Sequence, residues 1–472
     1  MNTYPARIRN IAAESVLATS PSISSSRRDT APAWWTSASI LLVDVLALSV
    51  VYWLAVIGRR LITPGDVRFY LEVFPGLTLF VLAFAVHGLY PGVLLHPAEE
   101  IRRVFHCISI VFLLVFCTTF LWHNAQAYSR SVVMLTWALG VPAVLMGRKV
   151  ARHLFSRCDW WGVPAVVFGS GASATRITNA LMNRELGIRV TAVVSNDFLC
   201  TPRNGTRYYA ILAEPPSKAA LHDMIQDQCQ GYRHVLLVPD IQGICSLGIS
   251  ARDIGGELGF EVPQRLFHRT AGMIKRAIDL ILTVPGLIAL SPVFLLIAAA
   301  IRLTSRGPVF YGHTRHGRDG KTFKALKFRT MFQNGESLLV KHFQGRPEEL
   351  AAWNRDQKLK CDPRITSVGR WLRRYSLDEL PQLCNVVLGQ MSLVGPRPIV
   401  SSEVLKYGRG YDLYSRVRPG ITGLWQVSGR NNTTYPERVA FDEYYVRNWS
   451  IWLDTYVLVR TIRAVLFAEG AY

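Results

Sequence analysis

Long apolar runs constrain this 472-residue chain more than any other feature of its sequence. A helix needs roughly 20 consecutive apolar residues to cross a bilayer. Four runs approach this length in the first third of the chain, at Thr36 to Ile57, Val73 to Tyr90, Val104 to Trp122 and Ser131 to Gly147. The sequence therefore predicts an integral membrane α-helical bundle over residues 34–150.

Basic residues around these runs predict how the bundle is oriented. They precede the first run, lie between the second and third, and follow the fourth: Arg7, Arg9, Arg27, Arg28, Arg102, Arg103, Arg148, Lys149 and Arg152. Because cytoplasmic loops carry more Lys and Arg, we expect both ends of the bundle in the cytoplasm. Residues 1–33 are rich in Ser, Ala, Arg and Pro and show no cleavable signal, so we predict a disordered cytoplasmic tail. We expect Asp44 and His87, inside the runs, to face neighbouring helices.

A formal net charge of +20 indicates an anionic partner but does not identify it. Nucleic acid, anionic lipid and phosphorylated substrates would all be attracted to such a surface. The eight cysteines show no CxxC spacing, so we interpret them as reduced and apolar, neither zinc ligands nor a disulfide framework.

A middle segment, residues 151–267, has the pattern of an α/β domain. Short β-rich runs at 163–169, 188–194 and 234–239 alternate with helical stretches. Gly169, Gly171 and Ala174 form a GxGxxA sequence directly after the first of these runs, as in dinucleotide-binding loops. Asp197 comes late for the acidic residue of such a site. A Rossmann-like fold kept for packing or dimerisation is at least as well supported as a working dinucleotide site.

A fifth apolar run, Ala277 to Ile301, differs from an ordinary crossing helix. Pro292 removes a backbone donor near the middle of the run, which predicts a bend, and Ser291 can satisfy the carbonyl freed there. Basic residues flank both ends, so we predict a re-entrant membrane helix with Lys275, Arg276 and Asp279 near lipid headgroups. A proline-kinked transmembrane helix is the alternative.

The segment Ser376 to Pro398, SLDELPQLCNVVLGQMSLVGPRP, carries the most direct chemical signal. Adjacent carboxylates at Asp378 and Glu379 suit phosphoryl-group transfer, because one can form an acyl phosphate while the other holds a divalent ion. The spacing of Ser376 and Glu379 predicts a capping box, although Pro381 also permits a helix that starts nearer to itself. Both alternatives put the carboxylates beside a helix N-terminus.

Further motifs extend this signal, namely KFRTM at Lys327 to Met331, DPRIT at Asp362 to Thr366, RPGITGLWQVSGRN at Arg418 to Asn431, and the terminal GAY. Together they resemble the bacterial polyprenyl-phosphate hexose-1-phosphate transferases. They are similar to the large undecaprenyl-phosphate galactose or glucose phosphotransferases, which have four N-terminal transmembrane helices and a Rossmann-like middle domain. The resemblance is dense from about Ala277 onward and looser before it.

This resemblance implies that Asp378 attacks the sugar phosphate of a UDP-hexose and that Glu379 binds Mg²⁺. It implies a catalytic domain over residues 268–472. Phosphate oxygens favour bidentate donors, and an indole or amide would suit a uracil ring. Pro396 is included because its restricted dihedral angles would fix the backbone direction of Arg397. The resulting candidate substrate-binding residues are Lys327, Arg329, Arg364, Arg373, Pro396, Arg397, Trp425, Gln426 and Arg430. For Trp425, Gln426 and Arg430, a packed loop is an equally open interpretation.

The predicted fold is therefore an integral membrane α-helical bundle, an α/β Rossmann-like domain and a mainly α catalytic domain with a re-entrant membrane helix. The implied partners are a UDP-hexose donor, undecaprenyl phosphate, membrane lipid and a second copy of the chain, with no nucleic acid. The implied location is the bacterial inner membrane, with the catalytic domain facing the cytoplasm.

Two other classes of function compete with this prediction. A membrane-tethered nucleotide-sugar oxidoreductase would use the loop at 169–174, but no YxxxK pair follows that loop where its chemistry needs one. A nucleic-acid-binding or scaffold protein is suggested by charge alone and leaves the adjacent carboxylates unexplained.

Overall fold

The computed structural model describes residues 34–62, 74–121, 130–169, 171–194, 209–213, 232, 234–238, 250–254, 257–261, 266, 269–344, 362–428 and 433–466. The chain forms two compact units, which divide after Gln242.

Five helices and a parallel sheet make up most of the described part of the first unit. Its helices are α1 (Trp34–Ile62), α2 (Thr78–Val86), α3 (Pro97–Leu121), α4 (Arg130–Phe155) and the shorter α5 (Gly171–Leu181). Its strands are β1 (Val163–Phe168), β2 (Ile188–Val194), β3 (Tyr209–Ala213) and β4 (His234–Val238). The strands are parallel in the order β2-β1-β3-β4.

Three of the predicted N-terminal spans are confirmed as helices long and apolar enough to cross a membrane: α1, α3 and α4. The second predicted span, Val73 to Tyr90, contains a 3₁₀ turn at Phe74–Leu77 followed by α2. A nine-residue helix spans about 14 Å, half of a typical hydrocarbon core. Residues 63–73 lie outside the described residues.

A buried cluster of charges joins α1, α3 and α4. Arg148 is fully buried and donates to both oxygens of Asp44, at 2.8 and 2.6 Å. Its Nη1 donates to Glu100 at 3.2 Å, and Arg152 donates to both oxygens of the same carboxylate. Tyr90 donates to Asp44 at 2.9 Å. Asp44 therefore faces neighbouring helices, as predicted, whereas Arg148 lies inside the protein instead of flanking the bundle. Two cations and two carboxylates compensate one another, which such burial requires.

The glycine loop after β1 has a packing explanation. Gly169 has φ +147°, and a Cβ atom there would lie 2.7 Å from the carbonyl oxygen of Ala213 on β3. Glycine is needed at this close approach whether or not a nucleotide binds. The strand order is typical of doubly wound sheets. The Rossmann-like interpretation and the predicted domain bounds stay predictions, and Asp197 lies outside the described residues.

The second unit is mainly helical, with small sheets. Its helices are α6 (Arg269–Thr304), α7 (Gly335–Phe343), α8 (Ser367–Arg374), α9 (Gln382–Val387), α10 (Ser401–Tyr407), α11 (Gly410–Ser415), α12 (Leu424–Ser428), α13 (Tyr435–Arg447) and α14 (Ile451–Leu466). Its strands are β5 (Ser250–Ile254), β6 (Glu257–Glu261), β7 (Phe310–His316), β8 (Thr322–Phe328), β9 (Ser392–Val394) and β10 (Gly420–Thr422). The pairs β5–β6 and β7–β8 are antiparallel, and β9–β10 is parallel.

Helix α6 is the fourth described helix with the length and composition of a membrane span. Because Pro292 has no amide hydrogen, it cannot bond to the carbonyl of Ile288, and Ser291 Oγ donates to that carbonyl at 2.7 Å. This is the role predicted for Ser291. The apolar side chains Ile288, Leu295 and Leu296 are 70–72% exposed. Such exposure around the prolines suits contact with lipid.

Candidate active site

Asp378 and Glu379 lie in a 3₁₀ turn, Leu377–Glu379, between α8 and α9. Ser376 precedes the turn with φ +55° and makes no capping hydrogen bond. The predicted capping box is therefore wrong: Ser376 adopts the left-handed region, which does not aim its hydroxyl at the next turn. The alternative holds instead, since the α-helix starts at Gln382, directly after Pro381.

Asn385 fixes this turn against the β7–β8 hairpin. Its Oδ1 accepts from the amide of Leu326, and its Nδ2 donates to the carbonyl of Lys324, each at 2.9 Å. The side chain is 1% exposed, so water does not compete for these bonds. Asn385 thereby positions α9 beside β8 and brings Lys327 to the two carboxylates.

Lys327 lies between the two carboxylates but is bonded to one of them. Its Nζ is 2.6 Å from Glu379 Oε1 and 3.9 Å from Asp378 Oδ2. The Asp378 side chain is 13% exposed and that of Glu379 is 29% exposed. Asp378 is thus the more buried carboxylate and the one left without a close cation.

The two carboxyl groups have opposite pKa shifts. Burial raises the pKa of Asp378 to about 6, with a further increase from the charge of Glu379, although Lys327 and Arg373 oppose the rise. Burial also acts to raise the pKa of Glu379, but Lys327, Arg397 and Arg315 outweigh it and hold that pKa below its usual value. At neutral pH both groups are ionised, and Asp378 is the more basic carboxylate. Opposed shifts of this kind separate a nucleophile from a charge-holding neighbour.

Arg397 reaches the site from the loop after β9, where Pro396 is buried. Gly420 donates to the carbonyl of Pro396 at 2.8 Å, which ties this loop to β10. The guanidinium of Arg397 lies 5.5 Å from the ring centroid of Trp425, and that of Arg438 lies 4.6 Å from it. Trp425 is only 4% exposed. Of the two interpretations of Trp425, base stacking and a packed loop, this burial favours the packed loop, in which the indole supports Arg397 through cation–π contact.

The remaining predicted phosphate-binding arginines differ in what they contact. Arg373 donates from Nε to Thr330 Oγ1 at 2.9 Å and lies close enough to lower the pKa of Asp378. Arg329 donates to the carbonyls of Ser305 and Arg306, after α6, so both of its Nη groups are occupied. Arg364 forms a bidentate pair with Asp362. Of these three, the structure brings only Arg373 to the carboxylates.

The other predicted nucleotide contacts are less defined. Gln426 on α12 donates from Nε2 to the carbonyl of Ile421 on β10 at 3.2 Å. Arg430 lies outside the described residues.

Lys275 and Asp279, which were predicted near lipid headgroups, are buried by other parts of the protein. Lys275 Nζ lies 2.8 Å from Asp454 on α14 and 3.4 Å from Asp279. Asp279 accepts from the Ser392 hydroxyl at 2.7 Å and from the amide of Leu393 at 3.2 Å. These contacts join α6 to β9 and α14, an arrangement that we call the α6 clamp.

Arg276 is likewise occupied by protein. It donates to the carbonyls of Val386 and Val387 at the end of α9, where a cation stabilises the helix. The first half of α6 thus holds both the segment that carries Asp378 and the strand that leads to Arg397.

The donor set for a divalent ion is small. In the part of the chain that the structure describes, no group of three or more His, Cys, Asp or Glu side chains could hold a metal. Mg²⁺ commonly binds through one or two carboxylates together with substrate phosphates, not in an all-protein cage. Glu379, with Asp378 beside it, fits that mode.

Two residues that sequence reasoning missed also lie near the site. Arg315 on β7 affects the pKa of Glu379, and its guanidinium lies 3.8 Å from Glu403. Asp442 on α13 accepts from the Tyr407 hydroxyl at 2.7 Å, and burial raises its pKa to about 8. Arg315 precedes the KFRTM motif by twelve residues, and only the hairpin pairing could have connected the two.

Comparisons with known proteins show which sequences this chain resembles. The family model described as bacterial sugar transferase matches residues 270–468, which include α6 and the candidate site. An undecaprenyl-phosphate galactose phosphotransferase of Salmonella typhimurium is 34% identical over 79% of this chain and 82% of its own length. The exopolysaccharide production protein ExoY of Sinorhizobium fredii is 47% identical over 45% of this chain and 95% of its own. A UDP-glucose:undecaprenyl-phosphate glucose-1-phosphate transferase of Klebsiella pneumoniae is 34% identical over 59% of this chain and 58% of its own.

Proposed function

Because this chain belongs to the bacterial sugar transferase family, we propose that it transfers hexose 1-phosphate from a UDP-hexose to undecaprenyl phosphate. One observation carries the proposal: Asp378 is a buried carboxylate of raised pKa, set beside an ionised Glu379 and four cationic side chains. The product would be the first membrane-bound intermediate of an exopolysaccharide, capsule or O-antigen.

The reaction would proceed in two displacements at phosphorus. An Asp378 oxygen attacks the phosphorus next to the sugar, the bond to UMP breaks, and UMP leaves with the electron pair. A phosphate oxygen of undecaprenyl phosphate then attacks the same phosphorus, and the bond to Asp378 breaks to regenerate the carboxylate. The covalent aspartyl phosphosugar lets a soluble donor and a lipid acceptor use one site in turn.

Several side chains would bind the charge that moves in these steps. Arg373 and Arg397 carry guanidinium groups suited to phosphate oxygens, and Lys327 can exchange its contact with Glu379 for one with phosphate. A bound Mg²⁺ would neutralise charge on the diphosphate. Glu379 would hold that ion.

Replacing Glu379 with Gln should weaken metal binding in the presence of nucleotide. We expect at least about a tenfold loss of Mn²⁺ affinity, because the amide keeps a hydrogen bond to Lys327 but loses the charge that a hard cation prefers. Titration of Mn²⁺ by electron paramagnetic resonance, with saturating UDP, measures this loss. Glu336→Gln, at an exposed position on α7, is the control. Equal Mn²⁺ binding by the parent and the Glu379 variant would assign the metal elsewhere.

The contacts of α6 support a re-entrant helix. Arg276 bonds to Val386, and Ile297 packs in a cluster with Phe328 and Leu372, against which Leu377 and Leu380 also pack. A straight helix would separate Arg276 from Ile297 by about 32 Å, yet both reach the surroundings of one short segment, 377–387. A bend at Pro292 would return the chain to the leaflet it entered. The catalytic unit would then face the cytoplasm, where UDP-sugars are made, and the enzyme would reside in the inner membrane.

Radiolabel transfer tests the proposed function directly. Full-length protein in nanodiscs should move label from UDP-hexose, labelled in the sugar, to undecaprenyl phosphate and release UMP. UDP-galactose is the first donor to test, because the galactose phosphotransferase matches more of this chain than the glucose transferase does. Absence of transfer from both UDP-galactose and UDP-glucose would refute the proposal.

That the chain forms a homodimer stays a prediction.

The raised pKa of Asp378 predicts how the rate depends on pH. The nucleophile must be ionised, so kcat/KM for the donor should fall about tenfold per pH unit below about pH 6. An ordinary aspartate, with a pKa near 3.8, would give a flat profile down to pH 5. Initial rates between pH 5 and 8 measure the profile. A rate at pH 5 equal to that at pH 7 would contradict the assignment.

A further inference from the structure

Arg315 is a cation without a close anionic partner at the edge of the candidate site. Its side chain is 19% exposed, and its nearest carboxylate oxygen in the described part of the chain, on Glu403, lies 3.8 Å away. The structure records no hydrogen bond from this guanidinium to any described residue. The guanidinium is partly buried, and its N–H donors can be given to a ligand that enters the site.

The β7–β8 hairpin puts Arg315 on the same face as Lys327. Tyr311 pairs with Lys327 and Arg315 pairs with Phe323, and residues 311 and 315 share a face because side chains alternate along a strand. The two positions lie about 14 Å apart along the hairpin, with long side chains that can approach each other. Both lower the pKa of Glu379, so both act on the same carboxylate.

Arg315 also lies near Arg397, another guanidinium without a carboxylate partner among the described residues. His316, the next residue on β7, donates to the carbonyl of Ile399, which brings the end of the strand beside the Arg397 loop. Burial lowers the pKa of Arg315, and the positive charge of Arg397 lowers it further. Two mutually repelling guanidinium groups form a site that an anion would stabilise.

We propose that Arg315 is a substrate-binding residue, whose guanidinium contacts a phosphate group held between β7 and the Arg397 loop. The proposal rests on the proposed function for the identity of that phosphate, which belongs either to the donor diphosphate or to the lipid acceptor. Four cations, Lys327, Arg373, Arg397 and Arg315, surround three carboxylates, Asp378, Glu379 and Glu403. This positive excess suits a diphosphate.

Binding and kinetics of full-length Arg315→Gln test the assignment. UDP binding by calorimetry reports on the donor phosphates, and KM values measured separately for UDP-hexose and undecaprenyl phosphate distinguish the two sources. We expect the variant either to bind UDP about 10- to 100-fold more weakly, with a higher KM for UDP-hexose, or to show a KM for undecaprenyl phosphate raised by the same factor. Arg315→Lys should recover part of this loss, because it restores the charge without the bidentate donor. Arg318→Gln, at a half-exposed position three residues along, should bind and react like the parent.

Glu403→Gln separates ligand binding from a structural role. If Arg315 acts only through its weak pair with Glu403, both glutamine variants should lose function equally, and that result would overturn the proposal. UDP binding and both KM values within twofold of the parent in Arg315→Gln would also overturn it. If the parent transfers no hexose phosphate yet its UDP affinity still depends on Arg315, the proposed function fails and the phosphate contact stands.

Discussion

Asp378→Asn should reduce kcat/KM by at least about 10⁴-fold, because asparagine cannot form the acyl phosphate that links the two displacements. Intact-mass measurement after mixing with UDP-hexose alone should show a phosphosugar adduct on the parent and none on the variant. Asp319→Asn, with a largely exposed side chain in the same unit, should behave like the parent in both measurements. A variant that keeps parental turnover would exclude Asp378 as the nucleophile.

This substitution should not weaken the fold, which makes the loss of activity interpretable. The pKa of Asp378 is higher in the folded protein than its usual 3.8, so protonation favours the folded state. The ionised group destabilises the protein above about pH 6, by about 3 kcal/mol, and this cost disappears as the pH falls toward 4. Asparagine should therefore raise the Tm at pH 7.5, measured by differential scanning fluorimetry. A lower Tm would show that the charge of Asp378 stabilises the fold.

Lys275→Met should be the most destabilising substitution in the α6 clamp. It removes the cation between Asp279 and Asp454, both almost fully buried, and leaves two carboxylates uncompensated. Breaking a buried pair in this way costs about 3–5 kcal/mol. Because the clamp joins α6 to β9 and α14, transfer activity should fall together with stability. Pulse proteolysis in detergent would report the free energy of unfolding.

Asp454→Asn is the matched comparison for the clamp. Burial raises the pKa of Asp454, although Lys275 opposes the rise, so its ionised form is already disfavoured. With its amide oxygen in the place of Oδ2, asparagine can still accept from Trp449 and Lys275, and its amide nitrogen can donate to the Tyr445 hydroxyl. Lys275 also keeps Asp279 as a charged partner. We expect a smaller effect, below about 2 kcal/mol. Equal losses in the two variants would mean that the hydrogen bonds, and not the charge balance, hold the clamp.

Sequence patterns located the candidate site but not its internal contacts. The adjacent carboxylates, Lys327, Arg373 and Arg397 were predicted from motifs, and the structure brings them together. Ser291 was predicted to bond a carbonyl freed by Pro292, and it does so. These features depend on local chemistry or on short motifs, which a sequence displays directly.

Apart from the capping box at Ser376, what the sequence did not predict depends on contacts between distant segments. Lys275 and Asp279 lie at the start of the fifth apolar run, and the sequence did not predict that Lys275 bonds to Asp454, 179 residues away. For Trp425 the sequence left base stacking and a packed loop open, and it did not predict that Arg397 and Arg438 lie over the indole ring. Arg315 was missed because only the strand register relates it to Lys327. Contacts between residues that are far apart in the chain cannot be read from a short stretch of its sequence.

The neutral charge cluster in the first unit limits how this bundle can evolve. Asp44, Glu100, Arg148 and Arg152 balance one another, so any single replacement by an apolar residue strands an opposite charge in a dry interior. Simultaneous loss of Asp44 and Arg148 keeps the balance and is tolerable in principle. Among descendants of such a chain, Asp44 and Arg148 should therefore be replaced together or not at all. Each single replacement would give an unstable intermediate between a charged bundle and an apolar one.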